Sequence, residues 1–205
     1  MTLRLLCLMI AFSAMAARAD PAALAQAHWV GCASCHGDAG EGRRAKEAPG
    51  IAGQDAAYIE RQMRSFRGGL RGRHPDDSAG RRMALMAASI SDDAVLAALS
   101  RRIAAMPPPV APATLTEWDV ARARQIYPSC AICHGAAGQG SAAAPRLAGI
   151  GDWYLLAQLR KYRDGMRGYL QGDTEGQRMA ALVAGLGNAD LVALAAYANA
   201  PGSVP

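Results

Sequence analysis

Cys32-Ala33-Ser34-Cys35-His36 and Cys130-Ala131-Ile132-Cys133-His134 decide how this chain is read. C-x-x-C-H is the attachment pattern for a c-type haem. Two thiols about one helical turn apart form thioethers with the two haem vinyl groups. The adjacent histidine then gives an imidazole nitrogen to iron. Cys32, Cys35, Cys130 and Cys133 are therefore the expected covalent attachment points of two haem c groups. His36 and His134 are the expected proximal ligands. Three other readings compete. One structural zinc shared by both pairs leaves the histidines unexplained. A thioredoxin-like pair needs a βαβ context that this chain, poor in β-branched runs, does not offer. Two simple disulfides suit an exported protein but not the recurring histidine.

The chain has 205 residues, 51% apolar and 19% charged, which excludes a disordered or collagen-like polypeptide. Only 5% are aromatic, so two small Ala-rich domains are short of bulky core material, and a cofactor is a natural filler. Residues 1–19 read as a signal peptide, with Arg4 in the n-region, Leu5 to Ala17 as the apolar stretch and Ala17-Arg18-Ala19 at the cleavage site. No apolar run reaches the ~18 residues of a bilayer span. Removal of the leader takes away Cys7, leaves only the four motif cysteines, and lowers the net charge from +5 to +3. The expected location is the periplasm. So small a positive charge on an exported haem protein argues against nucleic acid as a partner.

Slid against itself, the chain repeats. The motifs coincide at an offset of 98 residues, and beyond a two-residue deletion the offset is 96. Ala48-Pro49 then meets Ala144-Pro145, Tyr58 meets Tyr154, Gln62 meets Gln158, and Arg82-Met83 meets Arg178-Met179. Arg64, Arg67 and Arg71 meet Arg160, Arg163 and Arg167. Between the copies lies Met106-Pro107-Pro108-Pro109-Val110-Ala111-Pro112, a stiff extended linker. The expected organisation is a first domain at 20–106, a linker at 107–113 and a second domain at 114–205. Each copy reads as all-α. A first helix precedes the motif (about 22–30 and 117–127, the latter capped by Thr116). A middle helix covers about 55–66 and 152–162, a polar loop leads to the shared methionine, and a last helix starts near Ser91 and Asn188.

A low-spin electron-transfer haem needs a second axial ligand, usually methionine. The first copy offers Met63, Met83, Met86 and Met106, the second Met166 and Met179. Only Met83 and Met179 match on alignment, and they are the expected ligands. Met63 and Met86 are read as gap-filling core, His74 as a solvated loop residue, and His28 as packed or surface-exposed. Pro49 and Pro145 follow each motif in matching positions. Their carbonyls are candidates to hold the outer nitrogen of the proximal imidazole.

On these residues the chain resembles the di-haem cytochrome c4 family, built from two class I cytochrome c domains. Both C-x-x-C-H motifs carry the resemblance, with the Ala-Pro-x-Ile/Leu-Ala-Gly segments, the Tyr-x-x-x-Gln-x-x-x-aromatic-Arg-x-Gly stretches and the late Arg-Met. It implies two all-α domains, each wrapped round one covalent haem, and axial pairs His36/Met83 and His134/Met179. It implies a carrier of electrons between respiratory-chain donors, such as a quinol-oxidising complex, and a terminal oxidase or reductase. Peripheral membrane association, and a monomer or homodimer, are compatible with it. One departure stands out: the last helix usually carries an aromatic residue, present as Tyr197 but replaced by Arg101 in the first copy, which puts that packing in doubt.

Seven arginines fall between residues 61 and 82. Most such runs are solvated faces. The recurrence of three of them in the second copy also suggests a shared role, such as offsetting haem propionates or docking an acidic redox partner. Two function classes follow. A free electron carrier has both irons closed by methionine. The alternative is the cytochrome subunit of a redox enzyme, such as a flavin-dependent sulfide dehydrogenase, or a di-haem enzyme with one open iron.

Overall fold

The computed structural model describes residues 19–200. The expected leader lies outside the described residues apart from Ala19. Among the described residues eight α-helices form two groups of four: α1 (Pro21–His36), α2 (Ala56–Arg67), α3 (Ser78–Ala88) and α4 (Asp93–Ala104), then α5 (Val120–His134), α6 (Asp152–Arg163), α7 (Thr174–Val183) and α8 (Asn188–Asn199). Among the described residues there is no β-strand, only an isolated bridge between Arg43 and Ala48. No single helix there is long and apolar enough to cross a membrane.

Aspartates start most of these helices. The Asp55 carboxylate accepts from the Ala57 and Tyr58 N–H groups, and Asp92 from Ala94 and Val95. Such a cap satisfies donors that have no partner inside the helix and meets the positive end of its dipole. The second half departs from expectation here. Asp119, not Thr116, caps α5 by accepting from the Arg122 N–H, and the helix starts at Val120. A carboxylate outcompetes a hydroxyl at that position.

In each half the first and last helices pack together over the core. In the first, Ala25, Trp29 and Ala33 meet Val95, Leu96, Leu99 and Ile103. In the second, Tyr127 meets Leu191, Leu194, Ala195 and Ala198. The expected weakness at Arg101 does not arise, because the two halves place their ring mass differently. Tyr127 and Tyr197 share the second contact edge to face, with ring centroids 4.9 Å apart. In the first half Trp29 on α1 fills the gap alone, is 4% exposed, and is roofed by the Arg102 guanidinium 5.6 Å over its ring. Arg101 itself points to solvent.

The Pro-rich segment is strapped down. A side chain on Gly149 (φ +80°) would meet the Pro109 carbonyl oxygen at 1.9 Å, and one on its counterpart Gly53 (φ +66°) would meet Pro108 at 2.7 Å. The matched glycines thus admit consecutive prolines of the strap. Ala111 N–H donates to the Gly149 carbonyl, and the Asn199 side chain ties the Ala111 carbonyl to Gly151 N–H. At the far end Asp152 is fully buried. It accepts from Thr114 N–H, Thr114 hydroxyl, Leu115 N–H and Trp153 N–H, all within 2.8 Å.

Candidate haem sites and the seam between them

Both C-x-x-C-H motifs are helical to their last residue. The first helix does not stop near Val30, nor the fifth near Tyr127; each runs on to the histidine. Helical spacing therefore sets the two thiols of each pair one turn apart, on the last turn before the chain reverses. The reversal is made by Gly37 (φ +87°) and Gly135 (φ +82°). A backbone bond from Gly42 N–H to His36 C=O, and one from Gly140 N–H to His134 C=O, close the loop.

The two histidines are 6% and 5% exposed. His36 Nδ1 lies 2.9 Å from the Pro49 carbonyl oxygen, and His134 Nδ1 lies 2.9 Å from that of Pro145. A carbonyl only accepts, so Nδ1 carries the proton in each ring. Burial pushes both imidazoles below the usual histidine range, against the pull of the proline carbonyl. The rings are thus neutral at neutral pH, with the lone pair on Nε2. Nε2 has no hydrogen-bond partner among the described residues in either ring. None of the four cysteines is tied up in a disulfide. Burial raises the pKa of Cys32 and Cys130, while Cys35 and Cys133 are exposed.

The two matched methionines do not lie in a loop, as their polar flanks suggest. Met83 rides on α3 and Met179 on α7. The helices are built alike. Asp77 accepts from Gly80 N–H at 2.8 Å, and Asp173 from Gly176 N–H at 3.1 Å. Met179 and Cys130 are packed against the same apolar cluster. In the first half Cys32, Met63 and Met106 adjoin the cluster, whereas Met83 is half-buried outside it. Met86, expected as core, is 44% exposed.

Only part of the arginine run is a solvated face: Arg64, Arg73, Arg81 and Arg82 are exposed, whereas Arg61, Arg67 and Arg71 are half-buried. Arg61 donates across to the carbonyls of Ala142 and Ala143 at 2.8 and 2.9 Å. Arg67 ties the end of α2 to the start of α4 through Asp93 and the Ile90 carbonyl, as Arg163 ties α6 to Asn188. Arg71 and Arg167 meet at the seam between the halves in a near-symmetric exchange. Arg71 donates to Gln62 at 2.6 Å and to Tyr154 and Gln158 of the other half. Arg167 donates to Gln158 at 2.7 Å and across to Gln62 at 3.3 Å. Each guanidinium also covers a ring of its own half, Phe66 at 4.4 Å and Tyr162 at 4.3 Å. Gln54 adds a reciprocal pair with the Arg146 backbone, both bonds 2.9 Å. His74, read as a solvated loop residue, stacks edge to face on Tyr169 of the second half at 6.0 Å. None of these cross-seam pairs follows from the repeat itself. Only the recurring arginines hinted at them.

The residues fit covalent haem c. Cysteines outside any disulfide stand at the attachment spacing, and each proximal ring offers an unpartnered Nε2. The Nε atoms of Arg61, Arg71, Arg146 and Arg167 are buried without a partner, and among the described residues no carboxylate pairs with Arg71 or Arg167. Buried cations need anions, and each haem c brings two carboxylates.

Residues 120–199 match the profile of the family described as Cytochrome c. The chain is 30% identical to cytochrome c4 of Azotobacter vinelandii over 94% of each chain. The chain belongs to the cytochrome c4 family. It is also 36% identical to a thiosulfate dehydrogenase electron acceptor of Stutzerimonas stutzeri (strain A1501), over 73% of this chain and 68% of that one. Reduced recombinant cytochrome c4 from Pseudomonas stutzeri superimposes with a TM-score of 0.67 at 27% identity, over 89% of this chain and 99% of that one. The thiosulfate dehydrogenase TsdBA of Marichromatium purpuratum matches with a TM-score of 0.66 at 33% identity, over 82% of this chain but only 36% of that longer one. Like its cytochrome c4 relatives, this chain is a di-haem electron-transfer cytochrome with two tandem cytochrome c domains and two covalently bound haem c groups.

Proposed function

We propose that this chain is a periplasmic electron carrier without turnover chemistry, with domains at 20–106 and 114–205 joined by the strap at 107–113. Cys32, Cys35, Cys130 and Cys133 anchor the haems, and His36/Met83 and His134/Met179 are the axial pairs. The observation that carries the reading is the duplicated methionine helix, in which matched methionines follow matched aspartate caps and matched glycines. Each haem iron supplies a reversible one-electron redox couple. The protein holds the proximal imidazole neutral and aimed. Pro49 and Pro145 fix its orientation and raise its basicity as a ligand. Methionine at the sixth position shuts out substrate and raises the potential.

Donors of the respiratory chain and a terminal oxidase or reductase fit a general carrier. The similarity to a thiosulfate dehydrogenase electron acceptor adds a sulfur-oxidising enzyme as a donor class. A second reading, as the cytochrome part of an enzyme complex, draws on the match to TsdBA. The test is haem per polypeptide on periplasm-matured protein, with spectra of the oxidised and reduced forms. The carrier requires two covalent low-spin haems with a methionine–iron charge-transfer band and no rapid carbon monoxide binding. Met83→Ala and Met179→Ala should each open one iron. One haem, or a high-spin component in the unaltered protein, overturns the reading. A second polypeptide that co-purifies stoichiometrically favours the complex.

A further inference from the structure

The two methionine-bearing helices are capped alike but braced differently. A Cβ on Gly80 would meet Asp77 Oδ2 at 2.3 Å, and one on Gly176 would meet Asp173 Oδ2 at 2.0 Å. The close approach of carboxylate to helix is therefore the same in both. Asp77 has an additional partner. Lys161, on α6 of the other half, crosses the seam and donates to Asp77 Oδ1 at 2.6 Å. The aligned position in the first half is Ser65, too short to return the contact. Among the described residues no lysine or arginine reaches ion-pair distance of Asp173.

The asymmetry falls where packing is thinner. Met179 adjoins the apolar cluster of its half, and Met83 does not. Each helix buries two residues, but Val183 of α7 belongs to the apolar cluster of its half, whereas neither Gly80 nor Ala87 of α3 belongs to that of the first. Asp77 is 2% exposed, so its carboxylate is committed to two donors, Gly80 N–H and the Lys161 ammonium. Burial pushes this carboxyl up, but the lysine, the helix N–H and the nearby Arg71 charge outweigh it and hold it below the usual range, so it is charged at neutral pH.

We infer that Lys161 is a positioning residue supplied by the second half for the iron ligand of the first: through Asp77 it holds the start of α3, and with it Met83. The inference rests on Met83 ligation. It makes closure of the first haem depend on docking of the halves, while closure of the second does not.

The test uses the oxidised holoprotein and imidazole, which replaces an axial methionine at a rate set by loss of that ligand. Met83→Ala and Met179→Ala first assign the two kinetic phases. In Lys161→Met, which keeps the stem and removes the charge, imidazole should bind the Met83 haem on the order of tenfold faster, the consequence of one lost charge-assisted hydrogen bond. The Met179 haem should keep its rate. Lys161→Arg should restore the slow phase, and Lys161→Met with Asp77→Asn should be no faster than either change alone. If Lys161→Met alters neither phase, or speeds both alike, the inference fails while ligation stands. If Met83→Ala leaves the methionine–iron band of both haems intact, ligation itself fails and the inference with it.

Discussion

Asp152→Asn should loosen the junction between strap and second domain by a predictable amount. The wild-type carboxylate accepts four hydrogen bonds of 2.6–2.8 Å in a site that is 0% exposed. An amide offers one oxygen and one donor group. With its oxygen toward Thr114 N–H and Leu115 N–H, the Thr114 hydroxyl can turn to accept, but the amide nitrogen then faces the Trp153 N–H, donor against donor. One buried N–H is stranded, and the other three charge-assisted bonds become neutral ones. At ~1–3 kcal/mol for the stranded group, with water reaching the half-buried Thr114 and Leu115, the loss at pH 7 should be about 2–3 kcal/mol. Urea unfolding of the holoprotein, followed by far-ultraviolet circular dichroism, measures it.

The pH dependence gives a second reading of the same variant. Burial pushes the Asp152 carboxyl up, but Thr114, Leu115 and Trp153 outweigh it, so its folded pKa lies below the usual value. Its stabilisation is then complete above the unfolded carboxyl pKa, roughly 3.9, and is lost as pH falls through the folded value. The gap between wild type and variant should be constant above about pH 5 and shrink below it. A loss under ~0.5 kcal/mol at pH 7, the range of ordinary surface changes, would refute the reasoning. So would a gap that widens with acid.

Three further outcomes follow from the geometry. Gly149→Ala places a methyl group against the Pro109 carbonyl at a φ of +80° and should lower the melting temperature of the holoprotein by several degrees, while Gly185→Ala, in open space, should not. Tyr197→Ala removes the ring that packs on Tyr127 and should cost about 3–5 kcal/mol in urea; Arg101→Ala, at the aligned exposed position, should stay within ~0.5 kcal/mol. Gln54→Ala strands the Arg146 N–H at the seam and should cost about 1–2 kcal/mol, seen as earlier separation of the halves in small-angle scattering during a urea series.

Much of the site is local in sequence and was legible there. Cysteine spacing, the adjacent histidine and the glycine after it all act within one helical turn and one reversal. The paired prolines are also close enough for their carbonyls to be anticipated as partners of the imidazoles. The methionine helices were less legible, because polar and small residues such as Ser78-Ala79-Gly80 and Thr174-Glu175-Gly176 resemble a loop until their aspartate caps are seen to bind the glycine N–H groups. The place of Arg101 misled for a related reason. Alignment compares one position with its repeat, whereas the core has only a volume to fill, and Trp29 on the opposing helix fills it.

The sequence alone determined the cofactor chemistry, the duplication and the all-α class, since each depends on short-range spacing or on a period visible along the chain. Only the tertiary structure decided what the arginines do, how the prolines are held and how the halves differ. Arg71 lies 83 residues from Tyr154, and Lys161 lies 84 from Asp77. Contacts over such separations depend on how two folded halves meet, and a pattern repeated in both halves carries no record of which copy of a residue turns inward to its own domain and which reaches across.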